Sequence, residues 1–196
     1  MVKKATVTKL RFAEEPAEKL LKLDLGTGKG QKCPDGYVGV DMHKHDGVKV
    51  VTDLRKRWPW PANSVDAVHC DYVLQYFTAE ERVHFMNELY RVMKVDAEAH
   101  LVTPHWCSGR AYMDNRAVWP PISEAWFHIL NKAVRDMQNY VDDSGFTCDF
   151  DVATMGYGMH PTILVRAKEF QETALQYYKE AAQDLHVNLV KKAKTN

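Results

Sequence analysis

The chain has 196 residues, 45% of them hydrophobic and 27% charged, a size and balance that suit one soluble domain with a substantial core. Lys plus Arg and Asp plus Glu are equal at 26 each, so no global field draws the chain to nucleic acid or an anionic membrane. No apolar run approaches the roughly 18 residues of a membrane span, and Met1-Val2-Lys3-Lys4 lacks the apolar core of a signal peptide. The four cysteines, Cys33, Cys70, Cys107 and Cys148, form no CxxC pair. They read as reduced thiols, which predicts a cytoplasmic protein.

Residues 1–19 are charged and weakly patterned, and are expected to form an N-terminal arm on the single domain 1–196. Residues 20–25 predict a buried strand that ends at Asp24 or Leu25 and opens into Gly26-Thr27-Gly28-Lys29-Gly30. Glycines there let a ligand press on bare backbone, with amides facing a carboxylate or phosphate. A second strand covers 37–40 and ends at Asp41. Only residues 26–36 lie between, whereas a parallel crossover usually takes a dozen or more residues and holds a helix. Pro34, Asp35 and Gly36 oppose a helix, so this crossover is predicted to be a loop or a single turn.

A third strand at 48–51 runs into Thr52-Asp53, and Trp58-Pro59-Trp60-Pro61 excludes a regular helix after it. A fourth strand at 65–70 is followed by Asp71 and Tyr72. Thr78-Ala79-Glu80-Glu81 is a capping box; the helix it opens is predicted to reach about residue 94, with Val83, Met86, Leu89, Tyr90 and Met93 on its apolar face. A fifth strand is expected at 99–103, a long aromatic loop at 104–122, and a helix from a Ser123 cap to about residue 140. A strand at 146–152, a glycine turn at 156–158, a helix at 168–183 and a last alternating strand from residue 185 complete the expected order.

Strands alternating with connections argue for a parallel α/β sheet, and such sheets bind ligands outside the carboxyl ends of their strands. Those ends carry Asp24 and the glycines, then Asp41, then Asp53, then Cys70, Asp71 and Tyr72. An acid ending the second strand can accept both hydroxyls of a ribose, with Met42 apolar enough to lie on an adenine face. Asp53 is placed to accept from an exocyclic amine, and the Leu54 amide to meet a ring nitrogen.

With these segments in order, the sequence resembles the class I S-adenosylmethionine-dependent methyltransferases over about residues 20–104. DLGTGKG is similar to their first motif, GVDM to the acidic ribose motif, TDL to the adenine motif, and WPWPANSVDAVHCDYVLQYFTAEERVHFMNELYRVMK to the run through the fourth strand into its helix. The resemblance implies a Rossmann-like doubly wound sheet of about seven strands, order 3-2-1-4-5-7-6 with the seventh antiparallel. Here it would have a truncated first helix and an extra helix before the last strand. It also implies S-adenosyl-L-methionine as cofactor: Asp24, Gly26, Thr27, Gly28 and Gly30 at the methionine moiety, Asp41 and Met42 at ribose and adenine, Asp53 and Leu54 at the adenine edge, and Cys70, Asp71 and Tyr72 bordering the sulfonium. One departure is Tyr72-Val73-Leu74-Gln75-Tyr76, where relatives often read HVLEH.

The acceptor is expected to approach from 104–122, where Trp106, Tyr112 and Trp119 form a pocket or lid or else cover the sheet edge. His105 or Asp114 is placed to act as base, and Arg110 to bind an acidic acceptor; Tyr157 and His160 could reach the same face. Asp41-Met42-His43-Lys44-His45-Asp46 fixes no third metal ligand by spacing, and no metal is expected. The NPPY, DPPY and Pro-Cys motifs of DNA methyltransferases are absent, while Trp58 and Trp60 beside Arg55-Lys56-Arg57 suit single-stranded bases. The leading expectation is methyl transfer to an oxygen or nitrogen of a small molecule. A nucleic-acid methyltransferase and a non-catalytic cofactor binder are the alternatives. Oligomeric state is left open.

Overall fold

The computed structural model describes residues 19–137 and 144–193, so the expected arm, apart from Lys19, lies outside the described residues. Seven strands form one sheet: β1 (Lys22–Leu25), β2 (Val38–Asp41), β3 (Val48–Val51), β4 (Val65–Asp71), β5 (Met93–Pro104), β6 (Phe150–Met159) and β7 (Ala182–Lys191). Their order is β3-β2-β1-β4-β5-β7-β6, with β7 antiparallel to both neighbours, as the resemblance implies. The helices are α1 (Ala79–Val92), α2 (Glu124–His128), α3 (Lys132–Met137), α4 (Pro161–Leu164) and α5 (Lys168–Tyr177).

No helix joins β1 to β2, and none joins β2 to β3 or β3 to β4. The truncation expected of the first crossover therefore extends to the next two. Thr78 and Glu81 form the capping box that starts α1. Phe85, Met86 and Leu89 of α1 are fully buried against the sheet, contributing about 2 kcal/mol each by burial. Residues on that face of the sheet include Leu23, Leu25, Val68, Cys70, Leu101 and Val187, joined by Phe127 and Leu130 from the α2 segment.

Several boundaries differ from expectation. The helix predicted for 123–140 breaks after α2, because the Asn131 side chain accepts from the amides of Ala133 and Val134 and starts α3 afresh; residues 138–143 lie outside the described residues. The Gly156-Tyr157-Gly158 turn is instead part of strand β6. Gly156 and Gly158 pair with His186 and Asp184, and a Cβ on Gly158 would meet the Asp184 Cβ at 3.1 Å and His186 Nε2 at 3.3 Å. Gly158 makes room for larger neighbours across the ladder, and neither glycine turns the chain. α5 ends at Tyr177, well short of residue 183, and β5 begins directly after α1.

Gly39 is the tightest point of the β1–β2–β3 edge: a Cβ there would lie 2.2 Å from the Gly47 carbonyl oxygen. Gly39→Ala is expected to cost about 3 kcal/mol of stability in denaturant unfolding, while Gly156→Ala, with nothing within 4 Å of the added carbon, is expected to cost under about 1 kcal/mol.

Candidate functional site

The glycine turn is held without a helix. The amides of Gly26 and Thr27 both donate to the Val40 carbonyl at 2.8 and 3.1 Å. The Thr27 hydroxyl donates to the Asp24 carbonyl and accepts from the Val40 amide, each at 3.1 Å. The positive φ values of Gly26 (77°) and Gly28 (67°) bring bare backbone to the surface of a cleft.

That cleft has two parts that share Gly26, Gly28 and Tyr72. One, of about 340 Å³, is bordered by Asp41, Met42, Asp53 and Leu54. The other, of about 290 Å³, is bordered by Asp24, Thr27, His69 and Asp71. Tyr72 sits between them with φ of 56°, a left-handed conformation that non-glycine residues rarely adopt and that here ends β4 at the junction.

The carboxylates are already braced. Asp41 accepts from the amides of Gly28 (3.3 Å) and His43 (2.8 Å). Asp53 accepts from the Arg55 backbone and from both ends of its guanidinium, and the Arg55 side-chain hydrogen bonds hold its carboxyl below the usual range. Asp24 bonds His69 Nδ1 at 2.7 Å, and Asp71 lies 3.3 Å from His69 Nε2. Hydrogen bonds to Asp24, then to Asp71, raise the His69 imidazole to about 9.

Two expected residues are not brought to the cleft. Alternation along β4 sends His69 and Asp71 to one face and Val68 and Cys70 to the other, so the Cys70 side chain lies in the core, and burial pushes its thiol well above its ordinary value. Gly30 borders a separate cleft of about 750 Å³ with Lys29, Cys33 and His45.

On the acceptor side, His105 is buried, its Nε2 2.9 Å from Glu124, with Cys107 Sγ 2.9 Å from its Nδ1. Tyr157 donates to the same Glu124 oxygen at 3.1 Å. Burial alone would raise the Glu124 carboxyl, but the His105 hydrogen bond brings it below its ordinary value. His105 borders neither part of the cleft. Asp114 accepts from Arg116 and from the Tyr76 hydroxyl, and Arg116 holds its carboxyl well below the carboxylate range, which makes it a poor base. Arg110 is spent on Asp184 at 2.6 Å. Trp106 and Tyr112 border a cavity of about 390 Å³ against the end of α5, away from the cleft, and Trp119 is exposed beside Tyr112. His160 caps α4.

Sequence reading missed several contributors. Arg116, Tyr76, Val73 and Arg55 border the larger part of the cleft. Only the hydroxyl and charges of the first two had a signal, as a cation and an aromatic with no fixed spacing between them. Arg82, buried in α1, donates to the carbonyls of Leu74, Val118 and Pro120 and ties the 104–122 loop to the segment after β4. His69 had the clearest signal, two residues before Asp71 on the same strand and so on the same face.

Residues 23–100 match the family model described as a methyltransferase domain. That match runs from β1 into β5 and takes in every cleft residue from Asp24 to Tyr72, in agreement with the resemblance to the class I S-adenosylmethionine-dependent methyltransferases. No curated protein matches the sequence. A methyltransferase structure from Archaeoglobus fulgidus is similar over 89% of this chain and 87% of its own, at 15% identity and a TM-score of 0.58. One from Mesorhizobium loti is similar over 88% and 91%, at 17% identity and 0.51. The structure described as the [4+2]-cyclase SpnF is similar over 89% and 76%, at 15% identity and 0.52. These likenesses show the fold.

Arg82→Met leaves three carbonyls without their donor and is expected to cost about 3 kcal/mol at roughly 1 kcal/mol each, read by denaturant unfolding, with faster proteolysis within 104–122. Burial pushes the Cys148 thiol up to about 12, and Cys70 is fully enclosed. Titration of the native protein with a thiol reagent is therefore expected to label Cys33 and Cys107, with Cys70 and Cys148 reacting only after unfolding.

Proposed function

We propose that the chain transfers a methyl group from S-adenosyl-L-methionine to an oxygen or nitrogen of a small-molecule acceptor. The observation that carries this reading is the pair of adjoining cavities that share Gly26, Gly28 and Tyr72, one bordered by Asp41 and Asp53 and the other by Asp24 and Asp71. The residues fit the cofactor: a Cβ on Gly26 would lie 2.2 Å from Val73 Cγ2, so only bare backbone borders the cleft there. When bound, the cofactor supplies an electrophilic methyl group on a sulfonium.

This chain's own residues supply position and exclusion of water. Asp41, held by two backbone amides, would hold the ribose hydroxyls; Leu54 and Asp53 would meet the adenine, with Met42 as an apolar contact. Asp71 and Tyr72 border the methionine side. The two residues first considered as bases are a buried histidine paired with a glutamate and a carboxylate neutralised by arginine. Alignment of an acceptor whose nucleophile needs little deprotonation suits this arrangement better than general-base catalysis.

The burial of Trp58 weighs toward a small acceptor over nucleic acid: it is 2% exposed and not presented for base stacking, while half-buried Trp60 packs edge-on against it. Among the described residues no helix is long and apolar enough to cross a membrane. The likeness to SpnF supports a turnover test over an argument from fold.

Calorimetry with S-adenosylhomocysteine is expected to show saturable binding. Asp41→Ala should weaken it about 10- to 100-fold, as befits loss of charged hydrogen bonds of about 1.5–3 kcal/mol. Methyl-labelled cofactor incubated with a metabolite extract should yield labelled small molecules, and label entering RNA or DNA instead would select a polymer acceptor. Absence of S-adenosylhomocysteine binding would overturn the assignment of this cleft.

A further inference from the structure

Opposite α1, the sheet presents a row of polar residues in direct register across five strands. Asp24 of β1 is paired with His69 of β4, His69 with His100 of β5, His100 with Asn188 of β7, and Asn188 with Thr154 of β6. The row is connected: Asp24 to His69 Nδ1 at 2.7 Å, the two imidazoles nearly parallel at 13° with centroids 5.7 Å apart, His100 Nδ1 to Asn188 Oδ1 at 2.7 Å, and Asn188 Nδ2 to Thr154 Oγ1 at 2.7 Å. The absence of helices from the first three crossovers leaves His69 and Asp71 part-exposed here, with side chains 26% and 39% accessible.

We propose that His69, His100 and Asp71 bind a divalent transition-metal ion of the zinc type. One ring nitrogen of each histidine and one carboxylate oxygen of Asp71 lie within 4.8 Å of one another, the one such group among the described residues. The hydrogen bonds settle which nitrogens are available. Asp24 takes the Nδ1 proton of His69 and Asn188 that of His100, and the Thr154 contact turns the Asn188 oxygen toward the ring. Each histidine would thus offer Nε2 to the ion, His69 giving up to solvent the Nε2 proton that otherwise faces Asp71. A carboxylate or amide holding the far nitrogen is the arrangement that orients a metal-bound imidazole and raises its basicity.

The spacing agrees. Bonds of about 2.05 Å in a tetrahedron place ligand atoms about 3.3 Å apart, and His69 Nε2 lies 3.3 Å from Asp71 Oδ1. That oxygen is buried with no hydrogen bond of its own. Two imidazoles and one carboxylate suit zinc or cobalt better than calcium or magnesium, and three ligands leave a coordination position open. His69 and Asp71 border the smaller part of the cleft, so the ion would sit at its floor. The His43–His45 segment does not compete: His45 Nε2 lies 3.7 Å from Asp41, and no third donor joins them.

The test uses the full chain stripped with chelator and titrated with Zn²⁺ alone by calorimetry, and with Co²⁺ alone by visible absorption. One saturable site is expected, with the d–d bands of low-symmetry Co²⁺ displaced by Zn²⁺. His100→Ala should lower affinity at least 10-fold and abolish the bands, Asn188→Ala should lower it about 10-fold, and His45→Ala should leave it unchanged. Circular dichroism confirms that each variant is folded, and His100→Ala should retain wild-type affinity for S-adenosylhomocysteine, which separates this result from the cofactor assignment. No saturable binding by the wild type would reduce the cluster to a hydrogen-bonded relay and overturn the proposal. Binding that survives His100→Ala or is lost in His45→Ala would do the same.

Discussion

The structure depends on one bracing interaction: Thr27 and Gly26 fastened to Val40. A parallel crossover of this length has no helix whose end could fix the turn after β1. Two amides on one carbonyl and a hydroxyl bridging two backbone groups do the work in its place. The turn is therefore registered against β2, and Asp41, one residue beyond Val40, is carried to the Gly28 amide. The cleft is built by backbone approach with little help from a helix dipole.

The second organising feature is the parity of the central strands. Leu23, Val68, Cys70, Leu101 and Val187 point toward α1, while Asp24, His69, Asp71, His100 and Asn188 point the other way. The same alternation removes Cys70 from the cleft and assembles the histidine row. An in-register polar row on a half-open face is costly unless its groups satisfy one another, and here each ring has a partner on its Nδ1.

Charge on the acceptor side is largely neutralised within the protein. Asp114 is held by Arg116 and Tyr76, Arg110 by Asp184, and Glu124 by His105 and Tyr157. Buried Arg82 then anchors the loop that carries several of them. Such pairs hold the segment in place and leave Asp114 and Glu124 weakly basic.

The sequence by itself determined the sheet class, the capping box at Thr78, the missing first helix and the succession of acids at Asp24, Asp41 and Asp53, because glycine, proline and capping chemistry act over a few residues. It misread Gly156 and Gly158 as a turn, since a glycine within a strand, such as Gly158 yielding space to Asp184 and His186, looks locally like one that turns the chain. It also placed His105 and Asp114 as bases: Glu124, the partner of His105, lies 19 residues away, and although Arg116 is only two residues from Asp114, their pairing is set by the fold of the loop. Only the tertiary structure decided that Cys70 faces the core and that residues from β4, β5 and β7 share one row. Strand register is set by pairing across the sheet, and a shift of one residue would have put every one of those side chains on the opposite face.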